Sequence, residues 1–178
     1  MNRIVEIAVI ALGILISFFL KDINFLALNI DFLNTGIVYP DFLFLYILFF
    51  AIHRGELSGL WIGFFAGILE DAGVISFSSV SDGFVTVLGV HSLVYSLAGF
   101  SLGKVKRFID RNSFLPILII VLFGTVVVRF FIWLIIGSVS EFNQSYSLIG
   151  PSIFTAIVSP VWFFILSWLY KGNIEEEK

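Results

Sequence analysis

The stretch FLPILIIVLFGTVVVRFFIWLII, residues 114–136, carries one charged side chain, Arg129, and is otherwise almost wholly apolar. At about 1.5 Å of helical rise per residue it is long enough to cross the roughly 30 Å hydrocarbon core of a bilayer. The stretch PSIFTAIVSPVWFFILSWLY, residues 151–170, has the same character and also suffices alone. The rest of the chain is of the same kind. Only 13% of the 178 residues are charged and 59% are hydrophobic, whereas a soluble domain carries about 25% charged residues. Too few polar side chains remain to coat a water-facing surface, so lipid is the expected solvent. The reading is an all-α integral membrane protein, a compact bundle in one membrane domain over residues 1–178.

Outward from these two spans, four more are expected at about residues 4–20, 37–52, 57–69 and 84–102. The second and third are short and could be buried or re-entrant if taken singly. Between them His53-Arg54-Gly55-Glu56 forms a tight polar turn that suits a helical hairpin. The first apolar run ends Ser17-Phe18-Phe19-Leu20-Lys21, without the small residues of a signal cleavage site, and reads as a retained span. Residues 23–33 read as a strand or short helix along the outer interface, and the apolar pieces of 74–80 as dipping into the bilayer surface. Gly150-Pro151 and Asn112-Ser113 are helix starts. Pro160 should kink the last span, a break tolerated where neighbours satisfy the freed carbonyl.

Charge asymmetry tests the count of six. With the N-terminus inside, the cytoplasmic segments hold Arg3, Arg54, Lys104, Lys106, Arg107, Arg111, Lys171 and Lys178, whereas the outer segments hold only Lys21. This is the positive-inside pattern, and it places both termini in the cytoplasm of an inner-type membrane. The outer segments are mildly acidic, with Asp22, Asp31, Glu70, Asp71, Asp82 and Glu141. The basic loop of Lys104, Lys106, Arg107 and Arg111 is first a topogenic signal, and it also suits anionic headgroups or an acidic partner.

Three constellations stand out. Gly59, Gly63 and Gly67 recur every four residues on one face of the third span, and Gly89, Ser92, Ser96, Gly99 and Gly103 make a small-residue stripe on the fourth. Such stripes let helix backbones approach closely in lipid. Packing of the two spans on each other is the simpler role, and docking of a partner's membrane helix the alternative. Arg129 lies about 10 Å from the outer end of its span, where a cation costs about 2.5–3.5 kcal/mol even on gentle insertion scales. It is expected to pair with Asp41, or failing that with Glu70 or Asp71. His91 reads as a hydrogen-bonded core residue, and Glu6 as a snorkelling one.

Catalytic patterns are missing. There is no HExxH, Walker A loop or GxGxxG, cysteine is absent, and two histidines are too few for a His-built metal site. Glu70 and Asp71 are adjacent on a helix and point about 100° apart, so they should not converge as an acid/base pair. No catalytic, metal or cofactor residues are therefore assigned, and the small net charge of −3 offers nothing to nucleic acid.

From Pro40-Asp41, through Gly59, Gly63-Phe64 and Gly67-Ile68-Leu69-Glu70-Asp71, to Gly89-Val-His91-Ser92-Leu93-Val-Tyr95-Ser96-Leu97-Ala-Gly99-Phe100, the chain resembles the MreD family of the bacterial rod-shape system. The resemblance is best over residues 37–103, where Pro40, Asp41, Gly59, Gly63, Gly67, Asp71, Gly89, Tyr95 and Gly99 match the family's pattern. The loop after Asp71 departs from the commoner Gly-Pro-type connection. The resemblance implies a non-enzymatic scaffold joining an MreC-like single-span protein and the MreB filament to the synthases of peptidoglycan in the elongation complex. The rival from another class is the substrate-binding subunit of an energy-coupling-factor vitamin transporter, a bundle of similar size and related by fold-level analogy. Such a subunit needs a concave outer pocket and a small-residue first helix, whereas the first span here is mostly Ile, Leu and Phe, with Ala8, Ala11 and Gly13. An intramembrane lipid-processing enzyme ranks last for want of a catalytic set.

Overall fold

The computed structural model describes residues 3–21, 23, 28–29, 37–77, 88–106, 114–139 and 147–170. Arg107, Arg111, the tail from Lys171 and the acidic residues Asp22, Asp31, Asp82 and Glu141 lie outside the described residues, as does the expected helix start at Asn112-Ser113. The described residues form six helices: α1 (Arg3–Leu20), α2 (Phe42–Arg54), α3 (Glu56–Phe77), α4 (Val90–Val105), α5 (Phe114–Val139) and α6 (Ile149–Leu169). Two short strands, β1 (Leu28–Asn29) and β2 (Ile37–Val38), pair antiparallel, with Leu28 opposite Val38 and Asn29 opposite Ile37. By length and hydropathy, α5 and α6 are the two helices among the described residues able to cross a membrane unaided.

Three boundaries correct the sequence reading. The second helix begins at Phe42 rather than near residue 37, because Ile37 and Val38 pair with β1 and Asp41 is the N-cap. The Asp41 carboxylate accepts from the Phe44 amide at 2.8 Å, satisfying one of the open N–H groups of the first turn. The third helix does not stop at Leu69. It runs on through Glu70 and Asp71 to Phe77, so the first half of the segment 74–80 is helical. The fourth begins at Val90, after a turn in which Gly89 takes the left-handed φ of 97°.

The core is built around α2. Every residue from Phe42 to Ile52 is buried, because this helix touches all five others. Its 13 residues span about 20 Å, short of a full crossing, and protein on every side takes the place of lipid. Gly55, at φ 103°, turns the chain directly into α3, and its N–H bonds the Ala51 carbonyl at 3.0 Å. The other helices turn large apolar side chains outward: Phe19 is 64% exposed, Phe123 71%, Phe164 74% and Trp168 73%. Water would not tolerate so continuous an apolar exterior, and lipid favours it. In α6, Pro160 has no N–H for the Ala156 carbonyl, and the Ser159 hydroxyl donates to that oxygen instead at 2.7 Å.

The first helix is fastened to this core by hydroxyls. Tyr46 on α2 donates to the Ile10 carbonyl at 3.1 Å, and Tyr170, just past α6, donates to that of Val9 at 3.2 Å. The two phenolic oxygens lie 2.7 Å apart, so the two hydroxyl protons serve three short contacts. Gly13 leaves the room they occupy, since a Cβ there would collide with both hydroxyls. Tyr46→Phe removes one such bond, worth about 1 kcal/mol net. The expected result is a melting point about 2–4 °C lower in detergent, and an unchanged one would show that the hydroxyl contributes nothing to holding α1.

Candidate functional site

Polar side chains gather at the end of the bundle where α2 and α4 begin. Lys21 just past α1, Asp41 at the start of α2, Glu70 and Asp71 of α3, His91 and Tyr95 of α4 and Thr155 of α6 form the group. Just past α1, Lys21 reaches α3 and donates to both carboxylate oxygens of Glu70 at 2.9 Å, with its ammonium also 4.4 Å from the Phe18 ring centre. Asp41 faces two ways. One carboxylate oxygen caps α2, and the other accepts the Tyr95 hydroxyl of α4 at 3.0 Å. The backbone N–H of Asp41 donates to Thr155 Oγ1 of α6 at 3.0 Å, while the Thr155 hydroxyl donates to the Pro151 carbonyl.

Asp71 is 5% exposed and binds the start of α4 from outside that helix. Its carboxylate accepts the amides of Gly89 at 3.0 Å, His91 at 3.1 Å and Ser92 at 3.3 Å, and contacts the His91 ring at 2.8 Å through Nδ1. A helix N-terminus carries open N–H groups and a partial positive charge, and a carboxylate answers both. The usual N-cap side chain is absent, because Gly89 holds that position without one. Asp71 therefore does for α4, from α3, what Asp41 does for its own helix.

The glycines set the distance at which this works. Gly59 faces the Gly99 backbone, Gly63 that of Tyr95 and Ser96, Gly67 that of His91 and Ser92, and Gly103 that of Gly55 and Glu56. These pairs run in opposite senses along α3 and α4, so the two helices lie antiparallel with their backbones in contact and the small-residue stripes face each other. Ser96 and Ser92 belong to the same strip, Ser96 bonding the Ser92 carbonyl and Ser92 that of Gly89.

Arg129, partly buried on α5, acts electrostatically on the Tyr95 phenol, as do Asp41 and Glu70. Of these three, Asp41 makes the hydrogen bond to that buried hydroxyl. Glu70 and Asp71 diverge, the first toward Lys21 and the second toward α4. Lys104 and Lys106 lie at the opposite end of α4, away from this cluster. The sequence reading passed over Lys21, Thr155, Tyr46 and Tyr170. Lys21 alone left a signal, as the sole basic residue of the segments read from the sequence as outer.

As chemistry, the arrangement consists of acceptors engaged by donors from other helices, which fixes helix ends. Among the described residues no three His, Asp or Glu side chains are grouped to hold a metal ion. Neither the curated proteins nor the solved structures compared with the chain gave a match. The family model of the rod shape-determining protein MreD matches residues 6–171. The chain belongs to the MreD family. This match extends well beyond the 37–103 region and takes in α1 through α6. MreD is a family of membrane proteins of rod-shape determination, not known as enzymatic, and the apolar exterior is compatible with that membrane setting.

Proposed function

We propose that this MreD protein is a six-span scaffold of the bacterial inner membrane, with both termini in the cytoplasm. It joins an MreC-like single-span protein, and through it the MreB filament, to the peptidoglycan synthases of the elongation complex. The observation that carries the reading is the polar cluster that ties α2, α3, α4, α6 and the end of α1 together, in which each carboxylate holds another element in place. A scaffold needs a fixed outer shape more than it needs reactive groups, and this cluster supplies that fixity. The eight basic residues assigned to the inner side against one outside support the orientation. Depletion in a rod-shaped host should round or bulge the cells and release the single-span partner from detergent co-purification; unchanged shape and wall insertion would refute the proposal.

Within the scaffold Arg129 serves as the counter-ion of Asp41. Both act on Tyr95 from helices distant in sequence, and a guanidinium within the bilayer needs such a partner. Breaking a buried pair from one side costs about 3–5 kcal/mol, since the other charge is left uncompensated. Arg129→Ala should therefore accumulate poorly in membranes, and Asp41→Asn in the same chain should restore part of the loss. An Arg129→Ala protein present at the wild-type level would rule the pair out.

A further inference from the structure

We infer that the end of α4, together with the α2–α3 turn, binds the headgroup of an anionic phospholipid of the cytoplasmic leaflet; the leaflet assignment rests on the six-span orientation proposed above. Cations from two elements meet at this end. The Lys106 ammonium lies beside the turn, 2.8 Å from where a Gly55 Cβ would stand, and Arg54 immediately precedes that glycine. Gly103 packs on the backbone of Glu56, which locks the turn to the end of α4. Lys104 extends from the last turn of α4, exposed, with its ammonium 4.6 Å from the Phe100 ring centre. The turn also carries Glu56, exposed, and His53, whose Nδ1 contacts the Phe49 carbonyl. The α4 C-terminus adds about half a negative charge, so a clear positive surplus remains.

An exposed apolar ridge of α4 leads to Lys104. Leu93, Leu97, Phe100 and Lys104 stand at i, i+4, i+7 and i+11 and therefore share one helix face. Leu93 is 54% and Leu97 57% exposed. From Leu93 to Lys104 the helix rises about 16 Å, close to half of the roughly 30 Å hydrocarbon core. An acyl chain lying on this track would bring its phosphate to Lys104, with Lys106 beside the adjoining turn. An acidic protein would use the cations but not the track, and for that reason lipid is the occupant inferred.

The test uses the purified full chain in neutral detergent, titrated with phosphatidylglycerol or with phosphatidylcholine of the same acyl length and followed by native mass spectrometry. The wild type should retain phosphatidylglycerol at least tenfold better. Each basic residue near the surface contributes about fivefold, so K104Q/K106Q should lose on the order of twentyfold, whereas K178Q should change nothing. Should the double variant fail to fold, raising salt on the wild type must erase the preference. Equal retention of the two lipids, a preference indifferent to salt, or one intact in a folded double variant would overturn the inference. Because binding is read in detergent, its failure is distinct from failure of the proposed orientation, which labelling of residues 107–113 from outside intact cells would expose.

Discussion

Gly63→Leu is expected to reduce the folded protein in membranes to a small fraction of the wild-type level. A Cβ at this position would stand 2.7 Å from the Tyr95 carbonyl carbon and 2.9 Å from the Ser96 nitrogen, and closer still to the Tyr95 oxygen. These are backbone atoms of another helix, and no rotamer change can move them aside. The two helices would have to separate, and overpacking of this kind costs about 1–3 kcal/mol or more. Lipid tails are as apolar as leucine, so no hydrophobic drive would press the helices together again. The damage would also spread beyond the contact. Displacing α4 carries His91 and Ser92 away from Asp71, and Tyr95 away from Asp41. Gly137→Leu is the control, because a Cβ there meets nothing within 4 Å. In paired thermal melts in detergent, Gly137→Leu should match the wild type. A Gly63→Leu protein that also matched it would show that α3 and α4 are not held backbone to backbone.

The same interface shows what the sequence could and could not reveal. The spacing of Gly59, Gly63 and Gly67 is a property of one helix face, and it was readable because the matching stripe on the fourth span has the same origin. The limits of α5 and α6 were legible to within a few residues, since bilayer thickness and hydropathy set them. The start of α2 was missed where a local signal competed with composition. Apolar character begins at Ile37, yet Pro40-Asp41 already marks the cap, and the pairing of Ile37 and Val38 with β1 removes them from the helix. The end of α3 was missed for a different reason. Two adjacent carboxylates look like an exit to water, and in a lone helix they would be. Here Glu70 is met by Lys21, 49 residues earlier, and Asp71 by the amides near His91, 20 residues later. Partners that distant in sequence leave no local trace, so the polar cluster became visible only once the helices were assembled. The phenols of Tyr46 and Tyr170 illustrate the same limit across 124 residues.

Asp71→Ala should be the most damaging single change that leaves backbone packing untouched. It would strip acceptors from three amides at the start of α4 and from the His91 ring in one step. Each donor left buried without a partner costs about 1–3 kcal/mol; a loss of about 4 kcal/mol overall allows for partial rescue by water. Asp71→Asn separates the two contributions of the carboxylate. It keeps one acceptor oxygen but removes the charge that answers the helix terminus, and turns an NH2 group toward donors. About half the loss should remain. The readout is amide hydrogen exchange in detergent. In Asp71→Ala the amides of Gly89, His91 and Ser92 should exchange faster by orders of magnitude, while those in the middle of α5 should be unaffected. If exchange rises equally throughout the protein, the variant has lowered global stability without freeing α4, and Asp71 is then a general strut rather than the cap of that helix. If exchange at the three amides does not change, their acceptor lies elsewhere and the coupling of α3 to α4 rests on the glycines alone.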